Sequence, residues 1–250
     1  MDQLPFYVVN LARSPDRRAA MKRRLDTLGL AHAFFDGVDA SRGEHLPVSR
    51  YAPRWARWLR QRPMSAAEIG CFASHYRLWQ QCASGAEPMI VMEDDVTVDD
   101  GFADVVPLVR DAVTGSGFVR LAGLNEVDSM TIRQLDACYR LARLLKGPAG
   151  TQCYAISPGG AGKLLAGADR WIEPVDDYLD RFWSHGVQSM AILPYRVHHD
   201  DEQPSLIGKD RDNRQRSIIG AVGRTVSGLY ASLARRLSNI RHLGLGALRG

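Results

Sequence analysis

Pro88-Met89-Ile90-Val91-Met92-Glu93-Asp94-Asp95-Val96 constrains this chain more than any other stretch. Four apolar residues in succession run straight into three carboxylates. An apolar run of that length without polar alternation predicts a strand buried on both faces, the kind found inside an α/β sheet. Ligands of such sheets bind beyond the carboxyl ends of the strands, which is where Glu93, Asp94 and Asp95 fall. Side chains alternate along an extended chain, so Glu93 and Asp95 are expected on one side and Asp94 on the other. Three adjacent carboxylates repel one another, and a hard-oxygen pair at i, i+2 suits Mg²⁺ or Mn²⁺ bound together with a phosphate. The same acids also suit a solvated loop after a strand or the first turn of a helix. On these residues alone both readings stand.

The rest of the chain alternates strand and helix signals. Phe6–Leu11 is a β-branched and aromatic run, and Ser14-Pro15-Asp16 then predicts a capped helix start. Met21, Leu25 and Leu28 share a helical face, with Gly29 as the stop. Ala33–Asp39 predicts a second strand entering a turn, and residues 42–63 an excursion with a helical turn around Trp55–Leu59. Ser65 and Glu68 form a capping box, which gives Glu68 a sufficient structural role. Further strands are expected at Phe118–Leu124, within Cys138–Leu145, at Thr151–Ser157 and at Gln188–Tyr195. Helices are expected from about Phe102 to Val113, from Pro158, and over Tyr178–His185. Such alternation indicates an α/β domain with a mainly parallel sheet flanked by helices. Neither a dinucleotide fingerprint nor a Walker pattern follows the first strand. A bound nucleotide would therefore need another counter-charge, and a cation on Glu93 and Asp95 would supply it.

Other candidates carry weaker signals. Arg13, Arg17 and Arg18 cluster beside the first strand end, where they could reach a diphosphate or simply form a solvated face. Ser74-His75 lies within a helix with no local acid to complete a triad. Asp176 and Asp177 open a helix, where dipole stabilisation alone would place them. His198-His199-Asp200-Asp201 could complete a metal site or form a solvated loop.

Hydrophobic content of 45% and charged content of 24% are those of a globular protein, and no apolar run reaches the length of a membrane span. The first residues have no basic segment leading into an apolar core, so no secretory signal is expected. Cys71, Cys82, Cys138 and Cys153 form no Cys-x-x-Cys pair and are read as buried free thiols in a reducing compartment. The net charge of +4 is uneven. Seven arginines and no acid follow Asp212, which leaves 25 basic residues against 28 acidic ones in residues 1–212. The division is therefore a globular domain over 1–212 and a basic tail over 213–250. From Ile219 the tail carries Val222, Val226, Leu229, Leu233, Leu237 and Ile240 at helical spacing, an amphipathic basic helix suited to an anionic membrane interface or to packing on the domain.

Several of these segments, in this order, resemble the family 25 glycosyltransferases. They are Val9-Asn10-Leu11 with Arg13–Arg18, Val38-Asp39, Glu68–Cys71 with Ser74-His75, Ile90–Val96, Gly150–Ser157 with Ala161, Pro174-Val175-Asp176, and Pro194. Asp36-Gly37-Val38-Asp39-Ala40 departs from the Ala-Val-Asp-Gly expected of the family. The resemblance implies a GT-A-like fold, a nucleotide-sugar donor and a divalent cation, Mn²⁺ or Mg²⁺. It gives Glu93, Asp95 and His198 as metal ligands. Asn10, Arg17, Asp39, Ser74, His75 and Asp94 become donor contacts, and Asp176 or Asp177 the base of an inverting transfer. The implied reaction moves a hexose, galactose from UDP-galactose first, onto a lipopolysaccharide, lipooligosaccharide or other saccharide acceptor. The expected location is cytoplasmic, peripheral on the inner face of the cytoplasmic membrane, with no nucleic-acid partner. The rivals are a metal-dependent phosphoesterase and a non-catalytic adaptor that binds polyanions.

Overall fold

The computed structural model describes residues 3–42, 50–60, 62–200 and 218–243, with side chains of the last segment from 228 onward. Eight strands form one sheet in the order β2-β1-β3-β8-β5-β9-β7-β6. They are β1 (Phe6–Asn10), β2 (Ala33–Asp36), β3 (Met89–Glu93), β5 (Phe118–Arg120), β6 (Ser129–Gln134), β7 (Arg140–Leu144), β8 (Cys153–Ile156) and β9 (Met190–Leu193). The sheet is mixed. β1 pairs in parallel with β2 and β3, and β5 with β9, while β8 and β7 run against their neighbours. The expected strand from residue 138 is the second arm of the β6–β7 hairpin. A separate antiparallel pair, β4 (Val96–Val98) with β10 (Val197–His199), escaped sequence reading because three-residue strands are too short to show a period.

β3 is buried from Met89 to Met92, as its unbroken apolar run predicts. Ile90 and Met92 join Phe6 and Val8 on one face, under α1 (Pro15–Thr27) and α4 (Phe102–Ser116). Met89 and Val91 join Tyr154 and Ile156 on the other, under α3 (Ala66–Ser84) and α5 (Pro158–Gly167). That second face is aromatic: Phe72 stacks on Trp171 at 4.4 Å between ring centres and also meets Trp79 and Tyr178. Because β1 and β3 are parallel, both end on one edge, and β8, running the other way, begins there. Asn10, Glu93 and the residues just before Cys153 thus converge.

Several local expectations change. Ser14 makes no side-chain cap; its carbonyl instead accepts from the Asn10 amide at 3.1 Å. The Ser65–Glu68 capping box is present, and Glu68 also takes both Arg62 guanidinium nitrogens. The helix expected over Tyr178–His185 breaks at Arg181 into α6 (Val175–Asp180) and α7 (Phe182–His185). The 42–63 excursion contains α2 (Pro53–Arg60), whereas residues 43–49 and 61 lie outside the described residues. So do residues 201–217 and 244–250, and with them the boundary at 212. Among the thiols, Cys82 and Cys153 are buried as expected, but Cys71 is half-buried and Cys138 exposed; all four are free.

A last helix, α8 (Ile218–Leu243), lies against α2 and α7. Asn239 is buried there and donates to the Leu145 carbonyl at 2.9 Å. From residue 228 onward the less exposed side mixes Ala231, Ala234 and Ser238 with Asn239, Ile240 and Leu243, while Leu229, Tyr230, Leu233 and Leu237 face outward at 58–68% exposure. No helix among the described residues is long and apolar enough to cross a membrane.

His185 closes α7 in the buried layer beside Tyr178, with Nδ1 accepting from the Val187 amide. Burial is the main cause that pushes its pKa down to about 4, against an ordinary 6.5, and the charges of Arg181 and Arg120 add to it. The unfolded chain therefore takes up the proton first, so this stabilisation is complete above pH 6.5 and is lost as pH falls towards 4. Compared with His185→Gln by urea unfolding, the wild type should lose on the order of 3 kcal/mol of relative stability across that window. A pH-independent difference would show that the ring is not held neutral.

Candidate active site at the strand ends

Glu93 is the last residue of β3 and points towards α3 rather than into solvent. Its Oε1 accepts from Thr151 Oγ1 at 2.5 Å and lies 3.3 Å from His75 Nε2 and 3.8 Å from Cys71 Sγ. Cys71 and His75 sit one helical turn apart on α3 and so share a face. Behind them, Tyr154 Oη accepts from the Trp79 indole at 3.0 Å and meets His75 Nδ1 at 2.9 Å. With the indole donating to Tyr154, the tyrosine proton is directed to His75 Nδ1. Nε2 then carries a hydrogen aimed at Glu93. Burial alone would raise the Glu93 pKa. The hydrogen bond and charge of His75, then the bonds from Thr151 and Cys71, outweigh it and hold the carboxyl below its ordinary value. The Cys71 thiol is pushed well up, by burial first and then by the charges of Glu93 and Asp176.

The chain bends after Glu93, so the alternation expected of an extended segment stops there. Asp94 and Asp95 both meet Arg17, whose Nη1 is 3.5 Å from Asp94 Oδ1 and 3.9 Å from Asp95 Oδ2. Asp94 also accepts from Asn10 Nδ2 at 2.5 Å. Burial raises the Asp94 pKa despite Asn10 and Arg17. It raises Asp95 to about 6, reinforced by the charges of Glu93 and Asp94. One guanidinium faces two crowded acids whose neighbour is a third. Close by, Asn10 Oδ1 is buried without a hydrogen-bond partner among the described residues.

The remaining candidates divide. Ser74 is buried and its hydroxyl is committed to backbone, accepting from the Val38 amide and donating to the Gly70 carbonyl, both at 2.8 Å. It is a structural clamp between α3 and the turn after β2, and a Cβ at Gly70 would sit 2.4 Å from the Val38 carbonyl oxygen. Asp39 accepts from the Ser41 amide and hydroxyl and pairs with Arg13 at 2.6 Å. The Ser41 hydroxyl is the largest cause of its lowered pKa. Asp177 pairs with Arg60 of α2. Asp176, one residue back, is near enough to raise the Cys71 thiol by its charge.

His198 is not brought to the carboxylates. It pairs with Thr97 across β10 and β4, both side chains outward, and its Nε2 lies 3.3 Å from Asp99. Strand alternation gives the inward position to His199, which pulls against the raised Asp95 pKa and has a buried Nδ1 with no hydrogen-bond partner among the described residues. The sequence placed both histidines in an irregular loop, where no alternation could choose between them.

Sequence reasoning also missed the frame that positions Thr151. Arg120, fully buried, donates to the Gly150 carbonyl at 2.6 Å and to Asp180 at 2.6 Å, while Asp180 accepts from the Ala149 amide at 3.0 Å. Ala149 is left-handed at φ 60°, a conformation that costs on the order of 1–3 kcal/mol and persists only where surroundings impose it. Burial pushes Asp180 up to about 6 against the pull of Arg120. Nothing in the sequence marks this contact, because its partners are 60 positions apart.

Residues 3–179 match the family model described as glycosyltransferase family 25 (LPS biosynthesis protein). Among curated proteins, the chain is 36% identical over 191 residues to a "Glycosyltransferase 25 family member" of Aedes aegypti, covering 70% of this chain and 30% of that protein. It is 32% identical over 241 residues to the namesake of Drosophila pseudoobscura pseudoobscura, covering 85% and 38%. A Rattus norvegicus relative, 27% identical over 215 residues (75% and 36%), is named "Probable inactive glycosyltransferase 25 family member 3". The chain thus spans about a third of the length of the curated relatives it matches.

The Trp79–Tyr154–His75 chain should be needed to hold the site. Tyr154→Phe strands the Trp79 indole hydrogen in a buried layer and should cost about 1–3 kcal/mol of stability by denaturant unfolding. Unchanged stability would mean that the hydroxyl is not the hub that its contacts suggest.

Proposed function

The chain belongs to glycosyltransferase family 25, and from that membership we propose a metal-dependent, inverting hexosyltransferase of GT-A type. The observation that carries the proposal is the under-compensated acidic cluster of Glu93, Asp94 and Asp95 at the strand ends, faced by Arg17. Three hard-oxygen acids with a nearby unpartnered imidazole nitrogen fit Mn²⁺ or Mg²⁺. Asp95 and the second Glu93 oxygen, Oε2, would hold the cation, with His199 taking the role first given to His198. When bound, it would neutralise the donor diphosphate as the sugar–phosphate bond breaks.

This chain's own residues divide the remaining work. Asn10 offers its unpartnered Oδ1 to the donor, and Arg17 offers its guanidinium to a phosphate. Asp94 fixes both through its hydrogen bonds. His75 orients Glu93. Asp176 is the favoured base: it would take the acceptor hydroxyl proton as that oxygen attacks the anomeric carbon and the diphosphate leaves from the opposite face. Asp177 is held by Arg60 and is the weaker candidate. The donor is UDP-galactose first among UDP-hexoses, and the acceptor a lipopolysaccharide or related saccharide. A second reading, a non-catalytic binding protein, is favoured by the relatives named inactive.

A thermal-shift series against nucleotide sugars, with and without Mn²⁺, tests the donor. Ligand at a hundredfold its Kd should stabilise the protein by about 2.7 kcal/mol, and only with metal present. Asp95→Asn should remove the metal requirement together with at least about a hundredfold of turnover, leaving the fold intact. A UDP-sugar shift that ignores metal would refute the cation assignment. Binding without any turnover would favour the second reading.

The outward stripe of Leu229, Tyr230, Leu233 and Leu237, on a helix carrying Arg235, Arg236 and Arg241, supports docking on an anionic membrane, where a glycolipid acceptor would lie. Work would then take place at the cytoplasmic face. Co-sedimentation should capture the protein on vesicles containing anionic phospholipid and not on zwitterionic ones. Leu233→Asp with Leu237→Asp should weaken capture at least about tenfold. Equal capture of the variant would exclude this face.

A further inference from the structure

We propose that Cys71, His75 and Glu93 also form a preformed site for a thiophilic cation such as Zn²⁺, next to the acidic centre and distinct from it in ligand chemistry. Cys71 Sγ, His75 Nε2 and Glu93 Oε1 all lie within 4.8 Å of one another. Zinc bonds of about 2.3 Å to sulfur and about 2.0–2.1 Å to nitrogen and oxygen give tetrahedral edges near 3.5 Å for S···O and about 3.3 Å for N···O. The observed separations are 3.8 and 3.3 Å. Two of the three separations are thus already at coordination spacing, the third is within 4.8 Å, and a fourth ligand can come from solvent, since Cys71 and Glu93 are only partly buried.

The surroundings are those of a supported metal site. Thr151 donates to Glu93 Oε1, and Tyr154 faces the far nitrogen of His75; such outer partners fix ligand orientation. Binding requires two proton movements. The Cys71 thiol releases its proton to solvent as the sulfur–metal bond forms. The imidazole proton moves from Nε2 to Nδ1, and the Tyr154 hydroxyl, 2.9 Å away, turns its own hydrogen off Nδ1 so that its oxygen accepts from the ring. A net single proton is released per cation. A thiolate–imidazole–carboxylate set selects Zn²⁺, Cd²⁺ or Co²⁺ over Mg²⁺ and Mn²⁺, so the two centres take different ions although they share one glutamate. Occupancy would immobilise Glu93 and make Zn²⁺ an inhibitor of any chemistry at the acidic centre.

Cd²⁺ and Co²⁺ titrations of the full chain test this through thiolate-to-metal charge-transfer absorption, independently of any transferase activity. The wild type should give a band that saturates at a single equivalent, survives excess Mg²⁺ and persists in Cys138→Ser. Cys71→Ser should abolish it while keeping its melting temperature. A band that survives Cys71→Ser, or none in the wild type, would overturn the site. Should Cys71→Ser fail to fold, alkylation of wild-type Cys71, mapped by mass spectrometry, replaces it. Zn²⁺ should slow modification of Cys71 and leave Cys138 reactive; equal rates at Cys71 with and without Zn²⁺ would likewise overturn the proposal.

Discussion

One carboxylate oxygen, Glu93 Oε1, joins three pieces of the chain. β3 supplies it, α3 brings Cys71 and His75 to it, and the segment before β8 brings Thr151. Groups this deep stand in a low-dielectric setting, where a satisfied network is rigid and a broken one costly. Each contact behind it is therefore also needed. Trp79 fixes Tyr154, Tyr154 fixes the His75 tautomer, and the buried Arg120–Asp180 pair holds the strained Ala149–Gly150 turn that delivers Thr151. The aromatic layer under α3 is thus part of the site's support as well as of the core.

The electrostatics on the two sides of Glu93 differ in kind. Towards α3 its charge is stabilised by donors. Towards solvent, Asp94 and Asp95 are raised by burial, and the bend in the chain directs both to the same arginine. Proton uptake, a cation, or the displacement of Arg17 towards a ligand phosphate would each relieve that side. A cation and a phosphate arriving together satisfy all of the groups, since Arg17 can turn to the phosphate while the metal takes the acids. This is the physical content of reading the strand end as a donor site, and it needs no glycine-rich phosphate loop.

Much of the frame was legible. An unbroken Met89–Met92 run signals a central strand and the Ser65–Glu68 box a helix start, because each is a local pattern with one dominant physical cause, whereas the acids mark the strand's end and admit two readings. What stayed hidden was long-range or short-lived. β4 and β10 are three residues each, too short for a period, so the choice between His198 and His199 was not available. Mixed strand direction was not legible either: β8 is as apolar as a parallel strand because it too is buried on both faces. Ser14 had the composition of a cap, but Asn10 claims its carbonyl instead. The Cys71–His75 spacing did carry a signal, an i, i+4 pair on one helix face. Its meaning depended on knowing that Glu93 lies opposite.

The last helix shows how far pattern can mislead about partners. Its leucines follow helical spacing, which ordinarily marks the side a helix buries. In the fold α8 lies against α2 and α7, yet Leu229, Leu233 and Leu237 face out, and of that stripe's described residues Ile240 is the half-buried one. α2 is itself tied to the site by Arg60, which reaches Glu173 and Asp177 beside the candidate base, and it exposes Trp55 and Trp58. A surface that engages α8 would therefore act on α2, and through Arg60 on the helix that carries Asp176 and Asp177. Arg60 thus joins the helix on which α8 packs to the helix start that carries the two candidate bases.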